Sequence, residues 1–390
     1  MGWWATVVQQ GVVSRLDALP GPFYSSFRCA PPRTPQEPPS AVFAYWLLFG
    51  VFALGAMTER PFAHWQQHRR DPLFIVAIVF LAIIVGLRSD VGGDWGAYLR
   101  QFRLIAYMDL PRALNFGDPG YNLLSWTAQQ LGAGIWLVNL VCGSLFAWGL
   151  YRLALTQPSP WLTIVIAIPY LVIVVAMGYT RQGVAIGILM AGLARFQFHG
   201  SVLRFAAYVA IAALFHRTAV VALPLVALGG RRNFAINLVV LAFTTVALYD
   251  LLVASSMDRF VENYVRTDLG SQGAAIRVSM SVVPAALCLA VGDRLGFSPR
   301  EAAMWRNFSY GSLIALIGLA LYSSTVVDRL ALYLLPLQLA IIPRLSGVIG
   351  SRTSGMAIVI GYAIAIQFTW LNFSNYAVYW VPYHFYPLAS

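Results

Sequence analysis

Between residues 41 and 372 the chain alternates apolar runs of about 15–20 residues with short polar corners, and no run shows strict in–out alternation. A helix satisfies its own backbone groups within one segment, whereas a membrane strand would show period-two alternation over about 10 residues. The pattern therefore predicts an all-α, polytopic transmembrane helical bundle of about 12 spans. Their expected positions are residues 41–57, 72–87, 132–154, 160–179, 182–198, 203–216, 218–229, 234–253, 277–292, 307–325, 330–345 and 354–372. Several are short for a straight crossing, and four contain or begin near a proline: Pro169, Pro224, Pro284 and Pro336. Such segments read as tilted or broken helices packed against protein.

Composition agrees. Hydrophobic residues make up 59% and charged residues 11% of the 390, and the mean hydropathy is +0.69. A soluble domain averages about 25% charged residues, so this chain could not cover a water-facing surface of its size. All 26 basic residues are Arg. Coding bias alone would explain that. The functional alternative is that planar guanidiniums suit bidentate binding of phosphate or pyrophosphate. The net charge of +11 does not indicate nucleic acid, because the Arg residues stand singly between spans, without a basic run interleaved with aromatics. Cys29, Cys142 and Cys288 lack the spacing of a disulfide framework or a metal site.

Residues 1–40 differ from the remainder. Seven prolines lie between Pro20 and Pro39, with no compact apolar segment of the signal-peptide kind. They are predicted to be a disordered tail ahead of a membrane domain over residues 41–390. Orientation follows from the basic loops. Assigning loops 58–71, 152–159, 195–204, 229–233, 292–306 and 344–353 to the cytoplasm puts 13 of the 26 Arg in the shorter set of loops, and divides the acidic residues 4 inside and 11 outside. The outer face then carries the longest loop, 88–131, expected to hold an amphipathic helix, a second loop at 254–276 and an aromatic tail at 373–390.

Four constellations fall on that face. The first runs Arg88-Ser89-Asp90-Val91-Gly92-Gly93-Asp94-Trp95, with Tyr98 one turn on from Asp94. Asp94 reads either as a helix N-cap or as a carboxylate able to deprotonate an acceptor hydroxyl. Arg88 reads either as a snorkelling interfacial residue or as an anion ligand. The second, Arg181-Gln182-Gly183 with Gly187, combines close-packing glycines with a polar cluster where an apolar helix begins. The third, His216-Arg217, sits between apolar stretches too short to bracket a generous loop, which holds both residues near hydrocarbon depth. The fourth is Asp328-Arg329, at a short outward corner, whose members cannot share a helix face and so are expected to have different partners.

Taken in order, these motifs resemble the EpsG family, the Wzy-like bacterial exopolysaccharide polymerases. The residues that carry the resemblance are Arg88…Val91-Gly92-Gly93-Asp94-Trp95…Tyr98, Arg181-Gln182-Gly183-Val184-Ala185, Phe215-His216-Arg217-Thr218-Ala219, Arg329…Tyr333 and Trp380-Val381-Pro382-Tyr383. The family pattern has a hydroxyl residue where this chain has Gly93.

The resemblance implies a GT-C-like bundle in the bacterial inner membrane, polymerising repeat units carried on undecaprenyl pyrophosphate at its outer face. It implies a glycosyltransferase that uses no nucleotide sugar, no soluble cofactor and no metal. Its partners would be the lipid-linked oligosaccharide, the growing polysaccharide, membrane lipid, a chain-length regulator and a flippase. A pyrophosphate leaving group at headgroup depth needs cations there, for which Arg88, Arg181, Arg217 and Arg329 are available. Asp94 is the first candidate for the base and His216 the second. Tyr98, Gln182 and Tyr383 are expected to contact substrate. The aromatic tail (Tyr376, Tyr379, Trp380, Tyr383) could stack sugar rings or form an interfacial belt. A ligase of the O-antigen type is the alternative enzyme and would favour a large late outer loop. A flippase or transporter would favour internal repeats and charges deep in mid-span.

Overall fold

The computed structural model describes residues 42–59, 71–227, 274–321 and 324–388, with single positions at 239, 242 and 246. The predicted tail, the expected span at 234–253 and most of the loops at 58–71 and 254–276 lie outside the described residues, as do Arg60, Arg69, Arg70, Arg231 and Arg232.

The described chain is helical almost throughout. In order come α1 (Phe43–Thr58), α2 (Pro72–Gly86), strand β1 (Arg88–Ser89), α3 (Trp95–Ile105), α4 (Leu110–Asn115), α5 (Pro119–Gln130), α6 (Ile135–Ala154) and α7 (Pro160–Ala167). There follow α8 (Thr180–His199), α9 (Val202–Phe215), α10 (Ala222–Ala227), α11 (Ala274–Val291), α12 (Pro299–Leu321), α13 (Ser324–Ala331), α14 (Pro336–Leu345), α15 (Arg352–Phe373) and β2 (His384–Phe385). Among the described residues, three helices are long and apolar enough to cross a membrane: Ile135–Ala154, Ala274–Arg294 and Arg352–Phe373. Shorter apolar helices cover Phe43–Thr58, Pro72–Gly86, Pro160–Ala176, Val202–Phe215 and Arg217–Ala227. The peripheral helices turn Leu54, Val76, Ile314 and Ile358 outward, each more than half exposed. Water would not favour that apolar surface and lipid does. This is a helical membrane protein.

Local sequence sets the helix ends. The Asp71 side chain accepts from Leu73 N and Phe74 N, and Pro72 occupies the first turn of α2, where its missing N–H costs nothing. Gly200 ends α8 in the left-handed region at φ 63°. Proline has its strongest effect at Pro169. From Ile168 the α7 helix widens into a π-helical segment running to Ala176, and every residue from 160 to 176 is buried. The expected break in this helix is thus a widening, and it runs through the centre of the bundle.

Two expectations need correction. The loop 88–131 carries three short helices, not one, because Asp109-Leu110-Pro111 and Asp118-Pro119 each restart the chain with a proline in the first turn. Asp328 and Arg329 lie within α13, not at a corner, and the break comes later. Leu332–Leu334 tightens into a 3-10 turn before Pro336, which has no N–H to continue the preceding helix.

Helices α6 and α8 cross where neither has a side chain in the way. A Cβ added at Gly149 would overlap the Gly187 carbonyl, and one at Gly187 would lie 2.5 Å from the Phe146 Cα. Close backbone approach of this kind is how helices associate when lipid supplies no hydrophobic drive between them.

Polar residues divide between the two ends of the bundle. At one end Arg344 donates to Gln157 Oε1, the Leu295 carbonyl and Glu301, while Arg300 donates to the carbonyls of Gln197 and Phe198 at the C-terminus of α8. Arg352 donates to the Glu59 carbonyl, and the Glu59 carboxylate accepts from Ser159. Burial lifts Glu59 to about pKa 7. These residues come from the loops expected to face one side of the membrane, and each Arg pins a helix terminus. The candidate site occupies the opposite end. Gly149→Val should lower the thermal stability of the detergent-solubilised protein by about 1–3 kcal/mol or more through overpacking. Gly361→Ala, with nothing within 4 Å of the added methyl, should leave it unchanged or slightly raised, as thermal unfolding will read.

Candidate active site

The site is built against the end of the π-helical segment. There the carbonyls of Ile173 and Met177 take donors from side chains in distant parts of the chain. Trp380 Nε1 donates to the Ile173 carbonyl at 2.7 Å, and Arg88 Nε donates to the Met177 carbonyl at 2.8 Å. Arg88 also gives Nη1 to the Val85 carbonyl and Nη2 to Thr180 Oγ1, each at 2.6 Å. It is 1% exposed. Expected to bind substrate, Arg88 is instead an enclosed brace that ties the end of α2 to the start of α8.

The C-terminal segment closes over this brace. Strands β1 and β2 pair antiparallel, Arg88 opposite Phe385 and Ser89 opposite His384. Gly92 N donates to the Tyr379 carbonyl, and the Tyr45 hydroxyl donates to the Trp380 carbonyl. The Trp380 ring fills the space beside Gly178, where a Cβ would overlap it. Gly92 sits at φ 108°, with a built Cβ only 2.7 Å from the Met177 carbonyl, so glycine is required there twice over. Trp380 is therefore a buried plug, neither a sugar platform nor an interfacial belt. Tyr383 donates to the Ile84 carbonyl, packs edge-on against Tyr45 and lines an apolar groove beside α1 and α2.

On this frame stand the groups that face one another. Asp94 occupies the N-cap position of α3 but makes no side-chain capping bond. Its carboxylate is partly buried, which raises its pKa, while the charges of Arg329 and Arg181 oppose that rise. Arg181, at the start of α8, donates Nη1 to Asp118 Oδ2 at 2.9 Å, and its guanidinium lies 5.5 Å over the Tyr98 ring. Tyr98 is buried, which raises its pKa, and it packs against Tyr121. Arg329 lies 4.7 Å over the Tyr179 ring, with no hydrogen-bond acceptor for its guanidinium among the described residues. Asp328 instead accepts from Arg277 at 2.6 Å, so these neighbours in sequence do have different partners. Gln182 Nε2 donates to the Arg329 carbonyl at 2.6 Å and joins α8 to α13.

His216 caps the C-terminus of α9, its Nδ1 3.8 Å from Asp118 Oδ2. Arg217 begins the following 3-10 turn and is exposed. Thr218 Oγ1 donates to the Tyr333 hydroxyl at 3.0 Å. Several buried polar atoms here have no partner: Arg181 Nε, Gln182 Oε1, His216 Nδ1 and the Tyr121 hydroxyl. Buried polar atoms are ordinarily bonded, so these four have hydrogen-bonding capacity left to offer.

Sequence reasoning missed Asp118 and Arg277. Asp118 precedes a proline and so reads as an ordinary cap, yet it makes no capping bond and turns to Arg181 and His216. Arg277 lies near the start of α11, where an isolated Arg gives no signal until its partner Asp328 is known.

The family model for the EpsG family matches residues 72–385. The chain belongs to the EpsG family. The match begins at the first residue of α2 and ends in β2, so it includes both the Arg88 brace and the segment that closes it, while α1 precedes it. No curated protein and no solved structure matches the chain. The EpsG motif hydroxyl absent at Gly93 would fit, since a Cβ there meets only the Trp380 ring, at 3.8 Å. Arg88→Lys should cost about 1–3 kcal/mol by leaving enclosed carbonyls unpaired, whereas Arg181→Lys, at a partly open position, should leave thermal unfolding nearly unchanged. Melting curves of the two variants in detergent separate brace from ligand.

Proposed function

We propose that this EpsG-family protein is a Wzy-like polysaccharide polymerase. On this reading it extends repeat units carried on undecaprenyl pyrophosphate, at the outer face of the bacterial inner membrane. The observation that carries the reading is the uncapped Asp94 carboxylate, held at one end of a lipid-embedded bundle within the fields of Arg181 and Arg329. A carboxylate satisfied as a cap would be silent. This one is free to take a proton.

The growing chain is attached through its anomeric carbon to the lipid pyrophosphate. A hydroxyl at the non-reducing end of the incoming unit attacks that carbon. Its O–H proton passes to Asp94 as the new glycosidic bond forms. The anomeric carbon–oxygen bond breaks, and its electron pair leaves with the pyrophosphate. Arg181, Arg329 and the exposed Arg217 supply positive charge where that leaving group gains negative charge. Arg88 acts indirectly, by fixing Met177 and Thr180 beneath Arg181. Gln182 holds α13, and with it Arg329, in register with α8. Arg density in the loops of the opposite end favours placing that end in the cytoplasm, which turns the site outward.

A ligase would share the donor chemistry, but the described residues after α11 hold no long loop at the site's end for a separate acceptor. A transporter would need charges through the middle of the bundle, where α7 and the π-helical segment after it are apolar apart from Thr163 and Tyr170.

Asp94→Asn and Arg181→Ala should each abolish long polysaccharide in cells while single-repeat glycolipid and protein level persist. Full-length polymer from both variants would sink the reading. The raised pKa of Asp94 places the acid limb of the rate profile at higher pH than an ordinary aspartate would, with activity rising as the carboxyl deprotonates. Arg329→Gln removes a charge that lowers that pKa, so the limb should move to higher pH in a purified polymerisation assay. Movement to lower pH, or none, would contradict the role given to Arg329.

A further inference from the structure

The Asp118 carboxylate, buried at the head of α5, is shared unequally. Its Oδ2 accepts Arg181 Nη1 at 2.9 Å, while His216 Nδ1 lies 3.8 Å from the same oxygen, beyond hydrogen-bond distance. That Nδ1 is buried and has no hydrogen-bond partner. An imidazole nitrogen is thus kept beside a carboxylate that another cation already occupies.

Among the described residues, α5 brings Asp118 and Tyr121, α8 brings Arg181, α3 brings Tyr98 beneath the Arg181 guanidinium, α4 brings the exposed Arg112, which pairs with Asp109, and α10 carries no titratable side chain. Arg217 follows His216 in the chain and points to the surface, and the Tyr333 hydroxyl is engaged by Thr218. Arg181 is the most exposed of the three. Its side chain is 32% exposed against 8% for Asp118 and 20% for His216, and its Nε is unpaired.

We infer that a pyrophosphate diester arriving at Arg181 draws it from Asp118, and that Asp118 then takes His216 as an imidazolium, coupling donor binding to the uptake of one proton. The inference rests on the reading that Arg181 receives the donor pyrophosphate. Its physical basis is the cost of a buried carboxylate left without a cation. His216 is the nearest group able to supply the missing charge, and a movement of about 1 Å brings Nδ1 to hydrogen-bond distance. The exchange leaves Asp118 neutralised and commits the full charge of Arg181 to the ligand. Asp118 is then a positioning residue, touching neither donor nor acceptor, whose job is to hold one cation in reserve for another.

The test uses the full chain in lipid nanodiscs and a short-chain polyprenyl pyrophosphoryl monosaccharide, whose two phosphates stay ionised throughout the range. Calorimetric titrations at about pH 7.5, above the ordinary imidazole range, in two non-phosphate buffers of different ionisation enthalpy count the protons taken up. Wild type should take up about one proton per probe bound, and its affinity should weaken by up to about tenfold per pH unit above that range. Asp118→Asn and His216→Gln should each bring uptake close to zero while the probe still binds, and Asp118→Glu should restore it. If Asp118→Asn does not fold, His216→Gln carries the comparison alone. Wild-type binding without proton uptake, or undiminished uptake in His216→Gln, overturns the inference and leaves the reading of Arg181 intact. No binding to wild type, or Arg181→Ala binding as well as wild type, overturns that reading and the inference together.

Discussion

A helix end buried in an apolar core exposes carbonyls that neither water nor lipid can satisfy, and the site is assembled around that constraint. The π-helical segment from Ile168 to Ala176 is wholly buried, and carbonyls at and before its end take donors from elsewhere in the chain. Arg88 reaches Met177 from one direction and Trp380 reaches Ile173 from another. Because both donors come from segments that would otherwise be free loops, satisfying the backbone also fixes the loop that ends in Asp94 and the start of the helix that carries Arg181. Energetics and geometry are here the same fact: an enclosed guanidinium with three acceptors is a rigid joint.

That joint leaves the active-facing groups under-satisfied. Among the described residues Asp94 makes no cap, Arg329 meets the face of Tyr179, and Arg181 pairs with Asp118 and the Tyr98 ring while its Nε stays unpaired. At the far end of the same bundle the opposite holds, with Arg344 committed to four acceptors and Arg300 to two backbone carbonyls. The arginines of one end are spent on holding helices together, while Arg181 at the other keeps a donor in hand. That contrast separates the two ends more sharply than net charge does.

Much of this was legible in the chain. The apolar runs fixed most helix positions, because lipid leaves the backbone few alternatives. Residues 88–98, 181–183, 216–217 and 328–329 were identifiable because charged groups at the ends of apolar helices are costly and so are seldom incidental. What stayed hidden was direction. Arg88 looks the same in sequence whether it snorkels, binds substrate or braces a π-helical end, and only its pairing with a strand nearly three hundred residues away encloses it. Trp380 reads as a belt aromatic until Gly178 is seen to leave room for its ring. Asp118 reads as a cap because capping is a local property, while its turn toward Arg181 depends on how α5 meets α8 and α9.

The pairing of β1 with β2 has a consequence for biogenesis. Every helix of the bundle is made before residues 379–386 leave the ribosome, yet those residues hold the loop that carries Asp94 and plug the gap beside Gly178. Insertion and assembly are therefore separate events: the helices can enter the bilayer one after another during translation, but the loop that carries Asp94 is fixed only once residues 379–386 have emerged to meet it.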